Sequence, residues 1–317
     1  MHNSEAIVFK ALADDTRLRI LRLLSLEELN VWELGSILDL PQPTISRHLA
    51  ILRSHSLVID RRDGNRVFYR VGELRPPFDK FAEYLESLPN HEPTDLIRLE
   101  ECLARRAVGS RRFADDKAAE WDELAKSFQR QPLQLFAMAG LLGRKELTLA
   151  DLGTGTGLLL PFLAASAGQV YAVDQSVAML RRARQRCARN QIDNVHFIHS
   201  RLEKLSGRLP PCDGMLLHFV LHQVARPAGL LRALGKELKP GGRLVIADRI
   251  KHDDQAISEK YGSLWHGFEC EQLESWLKPG GLRMVEWRLL PGSENHQDQL
   301  PGFVLIAEKT ELQSSIA

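Results

Sequence analysis

Leu149-Ala150-Asp151-Leu152-Gly153-Thr154-Gly155-Thr156-Gly157-Leu158-Leu159-Leu160 decides the fold of this chain. An apolar run ends in a carboxylate, three alternate glycines follow, and a second apolar run has helical spacing. That order reads as a buried parallel strand, a tight glycine turn and a helix beginning at the turn. Glycines are required where the backbone takes φ > 0 and where a ligand must approach with no Cβ in the way. The spacing is G-x-G-x-G, whereas the dinucleotide fingerprint leaves two residues before its last glycine and needs no acid before its first. Asp151 would stand at the strand's carboxyl end, where a negative charge repels a pyrophosphate but suits an ammonium group. The turn therefore favours a nucleoside that carries an amino acid.

Downstream, Gln169-Val170-Tyr171-Ala172-Val173 is strand-like and ends at Asp174, followed by Gln175. A carboxylate at the end of the second parallel strand is placed to accept ribose hydroxyls. A helix from Val177 to Ala188, a strand at Val195-His196-Phe197-Ile198 and a fourth strand at Cys212 to His218 follow. Then come a helix over Ala228 to Leu238, a strand over Arg243 to Asp248, and strands at Met284 to Trp287 and Phe303 to Ala307. The alternation predicts a doubly wound, Rossmann-like sheet.

Residues Asp151 to Gly157 resemble the first motif of class I S-adenosylmethionine-dependent methyltransferases, and the resemblance runs through most of Leu147 to Thr310. It implies an antiparallel edge to the sheet, formed by Met284 to Trp287 and Phe303 to Ala307, and S-adenosylmethionine or S-adenosylhomocysteine as ligand, held by Asp151, Gly153, Thr154, Gly155, Gly157, Asp174 and Gln175. At Ser200-Arg201-Leu202-Glu203 the chain departs from the family, many members of which have Gly-Asp-Ala-Glu there. Arg201 is a pure donor and cannot accept the adenine amino group. Adenine is then left to backbone groups near Leu202 and to apolar neighbours such as Val177. His218 and His222, at the carboxyl end of the fourth strand, are candidates for a catalytic base or for contact with a methyl acceptor, and His218 also for contact with the nucleoside. Phe113 and Ala114 to Asp122 resemble the segment that precedes the first motif and closes over the ligand in many methyltransferases, with Phe113 and Trp121 either packed in the core or touching the ligand. Tyr261 to Phe268 is aromatic-rich, either a lid that chooses an acceptor or a cover for the sheet edge.

Working back to the N-terminus, helical spacing runs through Ile7 to Leu24, with Asp14-Asp15-Thr16 supplying cap oxygens for a second helix. A third helix follows at Val31 to Leu38 and a fourth after Pro41, through Thr44 to Arg53. The short link Asp39 to Gln42 suits a helix-turn-helix. Two alternating runs, Leu57 to Asp60 and Arg66 to Val71, flank an Asp-Gly hairpin signal, so the whole is a winged helix. Between Arg47 and Arg75, seven arginines stand against Asp60, Asp63 and Glu73, a local +4 in a chain of net charge +1. Gln42, Thr44, Ser46, Arg47 and His48 of the fourth helix would face bases or phosphates in the major groove of duplex DNA and Arg61, Arg62 and Arg66 of the wing the backbone or minor groove, while Ile45, Leu49 and Leu52 point inward; the alternative is a winged helix for protein contacts with its arginines solvated.

Leu12 to Leu21, Ser46-Arg47-His48-Leu49 and Arg62 to Tyr69 resemble the ArsR family of bacterial winged-helix repressors. Metal-sensing members carry Cys-Val-Cys on the third helix; here the residues read Asn30-Val31-Trp32-Glu33-Leu34, so no soft metal is expected there. The four cysteines, Cys102, Cys187, Cys212 and Cys270, form no C-x-x-C pair, and no metal site is expected elsewhere. By the same resemblance the amphipathic Phe78 to Leu85 would serve a homodimer interface. Thr94 to Gly109 is highly charged and reads as a solvated spacer.

The expected organisation is 1–76 winged-helix DNA-binding domain, 77–146 dimerisation helix and helical connector, 147–310 nucleoside-binding domain and 311–317 tail. The fold class is α/β with an N-terminal winged helix-turn-helix. The polar N-terminus and the lack of an apolar run of ~20 residues point away from a membrane and toward the cytoplasm. The pairing resembles ArsR-type regulators fused to a methyltransferase-like domain, some of which respond to S-adenosylhomocysteine and control methionine-cycle genes. The expected function is a repressor of operator DNA with an adenosyl effector. The competing expectation is an active methyltransferase with a targeting winged helix, although the cysteine grouping of arsenic methyltransferases and an Asn-Pro-Pro-Tyr motif are both missing.

Overall fold

A computed structural model of the chain describes residues 11–72, 85, 93–122, 147–254, 256, 261–290 and 301–310. The chain forms two compact units, Met1–Arg106 and Ala107–Ala317. The division falls inside the segment expected to be a connector. The expected dimerisation helix at Phe78 to Leu85, apart from Leu85, and the tail 311–317 lie outside the described residues.

In the first unit, α1 (Asp15–Leu26) is capped by Asp14, whose side chain accepts from Arg17 N. α2 (Val31–Leu38) starts on a capping box between Asn30 and Glu33, and α3 (Gln42–Ser54) starts after Pro41. The core is Ile20, Leu21, Leu23 and Leu24 of α1 against Leu34, Ile37, Ile45, Leu49 and Leu52, so the inward face expected of the recognition helix is the buried one. β1 (Leu29–Asn30), β2 (Val58–Asp63) and β3 (Arg66–Val71) form an antiparallel sheet in the order β1-β3-β2. Its hairpin turns at Gly64, with φ 57°.

α4 (Pro93–Lys117) corrects the spacer reading. Leu99, Cys102 and Leu103 are buried in the first unit's core, so one stripe of this charged helix is structural. Its last turns belong to the second unit, where Ala114 and Ala118 pack with Met179.

The second unit is a seven-stranded sheet in the order β6-β5-β4-β7-β8-β10-β9. Its strands are β4 (Thr148–Leu152), β5 (Gln169–Asp174), β6 (Val195–His199), β7 (Cys212–His218), β8 (Leu238–Arg249), β9 (Leu282–Leu290) and β10 (Gly302–Lys309). The helices are α5 (Leu160–Ser166), α6 (Val177–Arg189), α7 (Pro227–Glu237) and α8 (Cys270–Leu277). β4 to β8 are parallel, and β10 runs antiparallel to both β8 and β9. The order reverses at β4, where β5 lies on one side and β7 on the other, and that switch point opens a crevice at the strands' carboxyl ends. Gly153, Asp174 and His218 therefore meet at one edge.

Candidate functional site: a nucleoside-type cleft and a DNA-type face

The cleft at the switch point holds about 990 Å³ of empty space, part of it open solvent, and is lined among others by Asp151, Gly153, Gly155, Asp174, Leu202 and His218. Gly153 and Gly155 have φ of 78° and 55°. A Cβ on Gly153 would come within 2.4 Å of Val220, and one on Gly155 within 3.4 Å of the Trp121 indole nitrogen. Gly157, grouped with them in the sequence, does something else. Its φ is 74°, and its missing Cβ makes room for Leu160 and Ala183, so it packs the turn against helices and does not line the cleft.

Two carboxylates are buried at the cleft. Asp151 accepts from Thr154 Oγ1 at 2.7 Å. Asp174 accepts from Gly155 N and Ser176 N, both at 2.8 Å. Burial raises each carboxyl to about 6, against the hydrogen bonds that favour ionisation, and Asp174 adds a repulsive contribution at Asp151. Neither carboxylate has a cationic partner among the described residues. They are prepared acceptors.

His218 is 8% exposed, and its Nε2 has no hydrogen-bond partner among the described residues. Burial pushes its pKa down to about 4 despite the pull of Asp248, so the ring is neutral near pH 7. A buried polar atom left unbonded costs about 1–3 kcal/mol, and an orphan facing a cleft points to a ligand. His222 is different. Its Nδ1 lies 2.8 Å from Asp248 Oδ1, both side chains are buried, and it does not line the cleft. Burial alone would raise the Asp248 carboxyl, but His222 and the Arg249 N–H hold it below the usual range. His222 is a packed strut, which corrects its candidacy as a base.

Gln175 and Leu202 line the cleft as expected, but Arg201 does not; Glu203 takes that place, with Arg201 Nε 3.7 Å from its carboxylate. Val177 is 59% exposed and outside the cleft, where Met179 stands instead. Trp121 lines the cleft and meets Phe113 edge-on, with ring centroids 6.4 Å apart. Asp122, which sequence reasoning passed over, also lines it and holds Arg186 and Thr156. Tyr261, Trp265 and Phe268 are buried, and Trp265 Nε1 donates to Val224 O at 2.7 Å. Those aromatics are packed side chains, and none of the three lines the cleft.

On the first unit, Gln42, Ser46, Arg47, Arg62 and Arg66 are exposed, and Thr44 and His48 are half-buried. His48 Nδ1 lies 3.6 Å from Asp14. Arg61 corrects the wing reading. Its guanidinium is 3.0 Å from Glu28 and 3.7 Å from Asp63, all nearly buried, so it holds the wing from within. Arg70 shares Glu28 at 3.8 Å, and Arg53 pairs with Asp60 at 3.3 Å. Of the seven arginines counted in the sequence, Arg47, Arg62 and Arg66 remain unpaired among the described residues.

These features define a winged-helix DNA-binding unit joined to a class I methyltransferase sheet. Residues 14–60 match the family described as bacterial regulatory protein, arsR family, and residues 150–246 match the family described as methyltransferase domain. The biofilm growth-associated repressor of Agrobacterium fabrum is 40% identical over 83 residues, covering 26% of this chain and 67% of that protein. The demethylmenaquinone methyltransferase of Clavibacter sepedonicus is 33% identical over 141 residues, covering 41% of this chain and 57% of that one. The chain spans 52 to 61% of the length of the arsenic-resistance regulators it matches at 51 to 56% identity. The crystal structure of the N-methyltransferase NodS from Bradyrhizobium japonicum, in complex with S-adenosylhomocysteine, superposes with a TM-score of 0.53 at 16% identity, over 64% of this chain and all of that one. The chain belongs to the ArsR family of bacterial regulators and carries a class I methyltransferase domain. No described helix is long and apolar enough to cross a membrane.

Proposed function

We propose that this protein is a cytoplasmic, homodimeric repressor whose grip on operator DNA is set by an adenosyl amino acid, S-adenosylhomocysteine or S-adenosylmethionine, bound in the second unit. The observation that carries the reading is the pair of buried carboxylates, Asp151 and Asp174, presented at the cleft with hydrogen-bond donors but no cation. Such a pair fits a ligand with an ammonium group and vicinal hydroxyls, the first for Asp151 and the second for Asp174. Gly153 and Gly155 line the cleft with bare backbone that a ligand can approach, and His218 Nε2 offers a neutral polar contact. Leu202 and Met179 supply apolar walls, and Glu203 an acceptor, for a base.

DNA binding would use Gln42, Thr44, Ser46 and Arg47 in the major groove, with His48 behind them and Arg62 and Arg66 on the backbone. A ligand shifts the DNA equilibrium only if it prefers one state. α4 supports such coupling because its residues serve both units: Leu99 and Leu103 in the core of the first, Ala107 and Ala114 in the wall of the cleft. By family resemblance the effector is S-adenosylhomocysteine, which releases the operator of methionine-cycle genes. Calorimetry with both nucleosides beside a gel-shift on the protein's own promoter tests this. Micromolar or tighter binding with a ligand-dependent shift is expected; a shift indifferent to both ligands rejects it.

The unpartnered His218 Nε2 favours one further reading, methyl transfer with His218 as the base that takes the acceptor's proton. A radiolabelled methyl group leaving S-adenosylmethionine, lost in His218→Ala, would establish it.

A further inference from the structure

One helix of the second unit is charged beyond what its packing needs. α6 carries Arg181, Arg182, Arg184, Arg186 and Arg189, with no acid between Val177 and Arg189. Its inner face is Met179, Leu180, Ala183 and Cys187, all buried. Arg186 is engaged, pairing with Asp122 and donating to Thr156 O. Arg181, Arg184 and Arg189 are exposed and Arg182 is half-buried, and none of these four pairs with a carboxylate among the described residues. Arg184 sits over the Phe197 ring, its guanidinium carbon 5.0 Å from the centroid. Arg186 and Arg189 stand in the last turn, where the helix dipole favours cations. Arg181, Arg182 and Arg184 precede that turn, so the dipole does not account for them.

At 3.6 residues per turn, Arg181, Arg184 and Arg189 share the outward face, with Arg182 at its flank. They span about 12 Å along the axis, the rise of three or four phosphates on one duplex strand. β6 (Val195–His199), the edge strand beside α6, adds exposed His199 on the face that Phe197 turns to Arg184, while His196 stacks on Tyr171 on the other face; the strand holds no acid, and exposed Asp193 precedes it. The outward residues Val177, Arg181, Arg184, Gln185, Ala188 and Arg189 include no aromatic ring on which single-stranded bases could stack, and one exposed valine falls short of the apolar face that enters a lipid surface.

We propose that this arginine face binds the phosphate backbone of duplex DNA, adding sequence-independent contacts to those of the winged unit. The inference rests on the winged unit bringing a duplex to the chain, and it extends that reading to the second unit.

The test is fluorescence anisotropy of the full chain on a duplex from its own promoter and on a random duplex of equal length, across a salt series. The comparison is with a variant carrying Arg181→Gln, Arg182→Gln, Arg184→Gln and Arg189→Gln, checked by its denaturation midpoint. Each phosphate neutralised contributes about 0.9 to the slope of log affinity against log salt, so the variant's slope should be shallower by about 2 to 4, equally on both duplexes. Equal slopes for a folded variant and the wild type overturn the proposal. So does a variant that loses affinity for structured RNA while its duplex slope stays unchanged, which assigns the face to RNA. A wild-type chain with no duplex affinity at any salt sinks the reading of the winged unit, and this one with it.

Discussion

The two units treat buried charge in opposite ways. In the winged unit four nearly buried acids each meet an arginine: Glu28 with Arg61 and Arg70, Asp63 with Arg61, Glu33 with Arg106, Asp95 with Arg19. In the cleft, Asp151 and Asp174 are buried just as deeply and meet only N–H and O–H donors. The first arrangement offsets charge with opposite charge inside the protein. The second carries a desolvation cost that a bound cation or polyol would offset. A charge paired within the protein holds the fold, and a charge left poised at a cleft reports a ligand.

The comparison breaks first at the wing. Arg61→Ala leaves Glu28 and Asp63 buried with weakened compensation, and should cost the winged unit about 3 kcal/mol in a denaturant titration. Arg62→Ala, one residue away and exposed, should stay within about 0.5 kcal/mol. Equal costs would show that Arg61 is not a strut.

At the cleft the sign should reverse. Asp151→Asn and Asp174→Asn remove a charge whose burial is unfavourable, so the ligand-free chain should be no less stable. Calorimetric affinity for S-adenosylhomocysteine should fall roughly 10- to 100-fold, the worth of a charge-assisted hydrogen bond of about 1.5–3 kcal/mol. A destabilised chain with unchanged affinity would place the two acids with the struts.

Protonation gives a smaller effect of the same kind. Both carboxyls are raised to about 6, and the ionised form is the one that accepts a ligand. Affinity should be level above pH 7 and fall below pH 6, roughly tenfold per pH unit for each carboxylate engaged. His218, with a pKa pushed to about 4, stays neutral through that window and adds nothing to it. An affinity flat from pH 7 to pH 5 would remove the carboxylates from the site.

The smallest effects belong to single exposed arginines. Arg62→Gln and Arg66→Gln should each weaken duplex binding a few-fold at moderate salt, alike on all sequences, with the salt slope shallower by about 0.9. A change confined to one sequence would make them base readers.

What could be read before the structure was local. Helical periodicity located α2 and α3 because their buried residues recur every three or four positions, and Asp151 and Asp174 were legible because strand ends followed by glycine or a helix are short-range patterns. What escaped is long-range. Arg61 looks like any wing arginine until Glu28, 33 residues away, is seen against it. Arg106 reaches Glu33 across 73 residues, and the buried stripe Leu99, Cys102 and Leu103 is masked by the charges around it. The three glycines of the turn carry one spacing but two duties, and only the course of the cleft, which Gly153 and Gly155 line, separates them from Gly157. Likewise His218 and His222 lie four residues apart at one strand end, yet Asp248 claims one and leaves the other open to the cleft.

The claim that the two units act on each other is tested most directly by thermodynamic reciprocity. Operator affinity is measured with and without saturating S-adenosylhomocysteine, and S-adenosylhomocysteine affinity with and without saturating operator. The account predicts two ratios that differ from one and equal each other, on the order of 5- to 150-fold. Two ratios of one, with both ligands binding, would contradict it.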